Sequence, residues 1–336
     1  MNLTILGAGS FGTAMANHAT RLGLSVRLWC RTQATANAIN ERHNNPRYMK
    51  GSKLGEEVRA DSDLGRALSF SDHIILAVPT QSLREVLNNM ASMNPRGKKI
   101  LSLAKGIEIT SGKLPHQIAA EIFQPLAASL SYSALSGPSH AEEVIRDLPT
   151  AVVTASDDAG AALEWQKTLN SPHFRVYTSE DLLGVELGGA VKNVIAIAVG
   201  ISESLNFGDN AKAALATRGM AEIMRLGVAM GADPMTLAGL AGVGDLMVTC
   251  YSHHSRNLRL GAAIGRGMSV EEAESEIGQV VEGVHTVKAL VAYAKKTGIE
   301  LPIAEGVYAV LYDGASIDQA IEKLLFRSPK PEHNGR

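Results

Sequence analysis

Lys192 sits in the run Gly188-Gly189-Ala190-Val191-Lys192-Asn193-Val194-Ile195-Ala196. Helical spacing gives it Gly188, Gly189, Ile195 and Ala196 as neighbours three and four residues away, so nothing on its own helix can pair the amine. Burial there disfavours the charged form and moves the amine toward the range useful for proton transfer. The plainer alternative is a lysine that snorkels its tip to water. The Gly188-Gly189 pair weakens a helix by roughly 1 kcal/mol per glycine, which marks a place where another group comes close. A second patch, Gly239 to Cys250, holds Asp245 and Thr249 four residues apart. If the chain is helical after Gly244 they share one side, where the carboxylate can orient an amine and the hydroxyl can hold a substrate oxygen. Asp245 could instead cap that helix. Ser255-Arg256-Asn257 then offers a hydroxyl, a forked guanidinium and an amide, a donor set suited to phosphate, or else a surface turn. His253 and His254 are adjacent, so their side chains diverge on a helix, and no carboxylate cluster completes a shell; no metal is assigned.

These groups need a cofactor to work on, and the N-terminus offers a place for one. Gly7-Ala8-Gly9-Ser10-Phe11-Gly12 lies between the apolar strand Leu3 to Leu6 and the helix-like run Thr13 to Leu22. Gly7 lets the chain turn off the strand, Gly9 lets backbone approach a pyrophosphate, and Gly12 lets helix pack on strand. The unpaired amides at the helix start then face the phosphates. NAD-selective folds carry an acid about 20 residues after the glycines to bond the ribose 2'-hydroxyl. Here no Asp or Glu precedes Glu41, while Arg31 and Thr32 follow the second strand, Ser25 to Cys30. A guanidinium at that place suits a 2'-phosphate, so NADP(H) is preferred and NAD(H) is the second choice. Arg31 as a solvated strand-end cation is the alternative.

Positioning such groups takes two units. At 336 residues the chain exceeds the usual single-domain size. Strands alternate with helices through the first half, with buried strands at 74–78, 100–103, 132–136 and 151–155, the pattern of parallel units wound over a sheet. The loops 79–81, 104–106 and 137–140 that follow them point toward one crevice at the strands' carboxyl ends. After about residue 178 the pattern turns helical, at 211–230, 236–241, 258–264, 270–276, 286–297 and 317–325. The longest apolar helix stretch, 194–201, is too short to span a bilayer. A net charge of -2 gives no field for nucleic acid and no polybasic membrane patch. Cys30 and Cys250 lack disulfide or zinc spacing, and no secretory leader is read, which fits a reduced, cytoplasmic setting.

The ordered blocks GAGSFGTA at 7–14, LAKGIE at 103–108, SGPSHAEEV at 136–144, GGAVKNVIAIAVGI at 188–201, GLAGVGDLMVTC at 239–250, SRN at 255–257 and VVEG at 280–283 make the chain resemble the bacterial-type NAD(P)-dependent glycerol-3-phosphate dehydrogenases over nearly its full length. The resemblance implies an N-terminal Rossmann-like doubly wound domain at 1–178 and an all-α substrate and dimerisation domain at 179–330, while the Pro- and Gly-containing end at 331–336 reads as a flexible tail. It implies reduction of dihydroxyacetone phosphate to sn-glycerol 3-phosphate for phospholipid backbones by a homodimer, with Lys192 as proton donor and acceptor. Lys105, Gly137, Ser139, Lys192, Asp245, Ser255, Arg256 and Asn257 match substrate-contacting positions. Ser10, Phe11, Arg31, Lys105, Ala141, Arg256, Val280 and Glu282 match cofactor-contacting ones. One departure is Met49-Lys50 after Tyr48, where relatives often carry Leu-Pro; it bears on the adenosine side and not on the chemistry. Rival readings are a β-hydroxyacid or ketopantoate-type reductase, which would select a carboxylate, and a non-catalytic NADP(H)-sensing module, which has no need of a buried lysine.

Overall fold

Short apolar runs rich in Ile, Leu and Val form the strands of one sheet, and its interior strands are buried on both faces. The computed structural model describes residues 1–124, 130–326, 328 and 331–332. Among these, the strands are β1 (Asn2–Leu6), β2 (Ser25–Trp29), β3 (Val58–Asp61), β4 (His73–Leu76), β5 (Lys99–Ser102), β6 (Ser131–Ser136), β7 (Thr150–Ala155) and β8 (Phe174–Ser179). Their spatial order is β3-β2-β1-β4-β5-β6-β7-β8. The order reverses between β1 and β4, and a switch point of this kind opens a crevice at the strands' carboxyl ends.

The expectation of parallel units holds except at one pair. β7 runs antiparallel to β6, and β8 then runs parallel to β7. The helices of this half are α1 (Ser10–Arg21), α2 (Gln33–Arg42), α3 (Leu64–Ser69), α4 (Thr80–Ser92), α5 (Pro115–Phe123), α6 (Ala141–Val144) and α7 (Ala159–Leu169). Between β6 and β7 the chain turns back through the four-residue α6 and through Asp147, whose φ of 61° is left-handed. No full-length helix returns the chain to the start of the sheet, so the following strand is laid down reversed.

The second half is helical: α8 (Leu182–Ser204), α9 (Gly208–Met230), α10 (Pro234–Ala238), a π-helical turn at Leu240–Gly244, α11 (Asp245–Tyr251), α12 (Arg256–Gly265), α13 (Val270–Ile277), α14 (Glu282–Thr297), α15 (Pro302–Tyr312) and α16 (Ile317–Leu325). α8 is the axis, with α9, α11, α12 and α14 packed around it. Its contact with α12 is backbone-close: a Cβ built on Gly261 would lie 2.0 Å from the Ile197 carbonyl oxygen, and one on Gly200 would lie 2.1 Å from that of Leu258. Glu186, also on α8, ties this axis to the sheet half by accepting the His116 backbone N–H at the start of α5 and the Tyr132 hydroxyl.

Two sequence expectations change here. The apolar stretch 194–201 belongs to a 23-residue helix that is long and apolar enough to cross a membrane, but 89% of its most apolar window is buried inside the protein. A helix that is apolar all round is what a core axis requires, and that is its place here. The helix expected at 236–241 stops at Ala238, and the π turn follows. Of the tail, only Pro331 and Glu332 lie within the described residues.

Candidate active site

Residues from four separate segments meet at Asp245. α11 begins at Asp245, and the side chain does not cap its own helix. The carboxylate, 1% exposed, accepts from Lys192 Nζ through Oδ1 and from Lys105 Nζ through Oδ2 at 2.8 Å. Ser136 Oγ at the end of β6 adds a third donor at 3.2 Å. The four-residue spacing has its effect, because Thr249 Oγ1 accepts from Lys192 Nζ at 2.8 Å while donating to the Asp245 carbonyl. Lys192 is therefore not a snorkelling lysine: it is 6% exposed and its partners come from another helix.

The electrostatics are a contest between burial and pairing. Burial pulls Lys192 down and Lys105 adds repulsion, while Asp245 resists, and the ammonium ends at about 8. Burial would raise Asp245, but the two lysines outweigh it and hold the carboxyl below its ordinary value. Burial and the nearby Lys192 charge both lower His140. The result is an ammonium that can lose its proton at about pH 8, beside an acid that stays ionised.

The close approach foreseen at the glycine pair is present. A Cβ on Gly188 would lie 2.6 Å from the Ala241 carbonyl oxygen, and one on Gly189 would lie 2.6 Å from Ser136 Oγ and 3.5 Å from Lys105 Cδ. Lys105 also donates to the Gly137 carbonyl at 3.0 Å, and Ser139 Oγ donates to the same oxygen at 2.9 Å. Gly137 needs its positive φ of 128°, and a side chain there would press on Val152.

The nucleotide half of the site forms beside it. Gly7 turns off β1 with φ 118°, and a Cβ there would strike the Ala77 carbonyl at 2.5 Å. A Cβ on Gly12 would lie 2.0 Å from the Gly7 carbonyl oxygen. Gly9, which precedes α1, has no heavy atom within 4 Å of that position, and no side chain caps the helix start. Open space in front of free helix amides fits a pyrophosphate, so the residues present suit a dinucleotide. Arg31 is exposed just past β2, whose Trp29 carbonyl accepts the Gly7 N–H, so it stands beside the glycine loop. Phe11 is half-buried against the core of this half, and Ala141 is the buried first residue of α6.

The segment before α14 reaches across to this half. Ser10 Oγ donates to Gln279 Oε1 at 3.0 Å, and Arg256 Nη1 donates to the Val280 carbonyl at 2.7 Å. Glu282 Oε1 accepts the Thr80 N–H at 2.9 Å. Of the expected phosphate donors, Ser255 caps α12 by accepting the Leu258 N–H, and Asn257 is buried with its amide bonded to Asn193 and Gly283. Arg256 is the more open of the three.

Ser136, Asn193 and Asn45 were not singled out from sequence. Asn45 donates to the Ala8 carbonyl and to Thr13 Oγ1, both at 2.9 Å, and its Oδ1 accepts the Arg47 and Tyr48 amides. The run Asn44-Asn45-Pro46 is a turn signal in the sequence, and it would have pointed to this buttress.

Comparison with known proteins bears on the family and the fold. Residues 2–162 match the family profile of the NAD-dependent glycerol-3-phosphate dehydrogenase N-terminus, and residues 181–322 match that of its C-terminus. Proteins named glycerol-3-phosphate dehydrogenase [NAD(P)+] from Geobacillus thermodenitrificans and Chlorobium limicola are 46% and 43% identical to it, over 99% of this chain and 97% and 99% of theirs. The crystal structure of glycerol-3-phosphate dehydrogenase from Coxiella burnetii superposes with a TM-score of 0.92 at 38% identity, covering 97% of this chain and 99% of that one. The chain thus belongs to the NAD-dependent glycerol-3-phosphate dehydrogenase family of oxidoreductases.

Proposed function

We propose that the protein reduces dihydroxyacetone phosphate to sn-glycerol 3-phosphate, reversibly, with NADPH preferred over NADH. The observation that carries this reading is the convergence of Lys192 and Lys105 on one buried carboxylate, with Arg256 on the neighbouring helix. When bound, the nicotinamide supplies the two electrons and one hydrogen as a hydride to the ketone carbon. Lys192 gives its Nζ proton to the ketone oxygen and is left as a neutral amine, which takes a proton back from solvent. In oxidation it accepts the hydroxyl proton instead. Asp245 aims the amine and keeps the site's charge balanced, and Lys105 and Arg256 supply positive charge for the phosphate end of the substrate. Residues 1–178 then serve as the nucleotide domain, and 179–330 as the substrate and dimerisation domain of a cytoplasmic homodimer that supplies phospholipid backbones. Gly7, Gly9, Ser10, Phe11, Gly12, Arg31, Ala141, Val280 and Glu282 line the cofactor side.

Initial rates test it directly. The protein should oxidise NADPH with dihydroxyacetone phosphate but not with dihydroxyacetone, and α-keto acids should be poor substrates. Arg31→Asp should weaken NADPH far more than NADH, because a carboxylate repels the 2'-phosphate. Faster turnover of an α-keto acid would replace this reading with a carboxylate-selecting reductase. Equal loss for both cofactors would remove Arg31 from nucleotide choice.

A further inference from the structure

Two buried asparagines lie between the segment ahead of α14 and the substrate-side lysine. The Gly283 N–H, in the first turn of α14, donates to Asn257 Oδ1 at 3.0 Å. Asn257 Nδ2 donates to Asn193 Oδ1 at 2.8 Å. Asn193 Nδ2 donates to the backbone carbonyl of Lys105 at 3.0 Å and to that of Gly189, one turn back on α8, at 3.3 Å. Both amides are buried, 5% and 8% exposed. The packing is built for them: a Cβ on Gly283 would lie 2.6 Å from Asn257 Oδ1 and 2.8 Å from the Asn193 carbonyl oxygen. Each amide uses its oxygen as acceptor and its nitrogen as donor, so the chain of bonds has one direction, and reversing either amide would set like groups against each other.

The Gly283 end of this chain is tied to the nucleotide half. Gln279 and Glu282 are held by Ser10 and Thr80. At the other end, the Lys105 carbonyl, in the loop after β5, accepts from Asn193 Nδ2, and its Nζ is shared by Asp245 and Gly137.

We propose that Asn193 and Asn257 are positioning residues that act in series, fixing the Lys105 backbone so that its ammonium stays on Asp245, and making that placement depend on the segment Gln279–Gly283. The proposal rests on the reading of Lys105 and Asp245 given above. Asn257 therefore acts through Asn193 and Lys105. A displaced Lys105 leaves Asp245 to Lys192 and Ser136 and moves positive charge away from the substrate.

The test replaces each amide without adding charge, Asn193→Leu and Asn257→Leu, with Asn257→Ala as a smaller uncharged variant that removes both of its hydrogen bonds. Four quantities are read: kcat and KM with dihydroxyacetone phosphate, NADPH affinity by fluorescence, the melting temperature, and the rate at which acetic anhydride labels Lys105 in cofactor-free protein, with exposed Lys296 as the internal reference. The expected result is a loss in kcat/KM of about 10²-fold, the scale of a small misplacement of a reacting group. NADPH affinity should stay near normal, and Lys105 should label several-fold faster against an unchanged Lys296. The double Leu variant should lose little more than the worse single, because series links share one effect. Unchanged Lys105 labelling, additive losses, or turnover that falls only in step with melting temperature overturns the proposal and leaves the amides as packing. An unmodified protein inactive on dihydroxyacetone phosphate would instead fail the functional reading, and the labelling would still judge the relay.

Discussion

At Lys192 two effects oppose each other, and their difference sets its protonation. Burial favours the neutral amine, Asp245 favours the ammonium, and the balance of about 8 lies below the ordinary lysine value. Reduction needs the protonated form, so its kcat should fall as pH rises through about 8, while oxidation needs the free amine and should rise over the same interval. Lys192→Met keeps much of the stem and should cut turnover by roughly two to four orders of magnitude, the scale of a lost general acid. Lys192→Arg should be nearly as poor, since a guanidinium holds its proton at working pH. Kinetics in both directions against pH, with NADPH affinity measured separately, checks this; near-normal turnover in the Met variant would transfer the proton role to another group, Lys105 first. The isolation of this lysine on its helix was legible, because periodicity alone shows what lies one turn away. Its partner was legible as a carboxylate, Asp245, able to orient an amine, but not from the periodicity of that helix. Asp245 lies 53 residues further on, and periodicity within one helix says nothing about which other helix comes alongside.

At the scale of elements, the junction of β1 and α1 separates two jobs that the glycines share in sequence. A Cβ at Gly12 has no room, 2.0 Å from the Gly7 carbonyl oxygen, so Gly12→Ala should push helix from strand and lower the melting temperature. A Cβ at Gly9 meets no heavy atom within 4 Å, so Gly9→Ala should melt normally yet bind NADPH more weakly, since on the proposed reading the methyl fills space a phosphate would take. Calorimetry with and without NADPH separates the two; a lowered melting temperature in cofactor-free Gly9→Ala would mean that this glycine is structural as well. The interior strands were readable because they are continuous apolar runs. The strands that escaped notice, β3 and β8, are the two edges of the sheet. β3 is four residues with two charges, Val-Arg-Ala-Asp, and β8 buries only alternate residues near its start. α15 also escaped, opening on Pro302, a residue that reads as a breaker unless its place at the first turn is known. The reversal at β7 was not legible at all, since strand direction is set by the path of α6 and not by any residue pattern within the strand.

For the whole molecule, α8 carries the site and the helical half is built around it, so supports far from Lys192 still bear on the protein's stability. Glu222 on α9 is one of them. It is 3% exposed, and its carboxylate accepts the Ile303 and Ala304 amides at the start of α15, at 2.6 and 3.3 Å. Those amides and Arg225 favour the charged form, but burial is the larger effect and raises the carboxyl from 4.5 to about 7. The sign follows. The folded state holds this proton more tightly than the unfolded chain, so the group's contribution is fully present below about 4.5 and is lost as pH rises toward 7. The loss is about 3 kcal/mol at the conversion of 1.36 kcal/mol per unit. Glu222→Gln keeps a carbonyl acceptor for one amide and carries no charge, so it should match the unmodified protein near pH 5 and melt higher by about 2 °C or more at pH 8. Taking the difference between the two proteins at each pH cancels other titrating groups, including His18, whose burial works in the opposite direction. If the Gln variant melts lower at both pH values, the negative charge at the start of α15 is worth more than its burial costs, and Glu222 holds that helix as a carboxylate throughout.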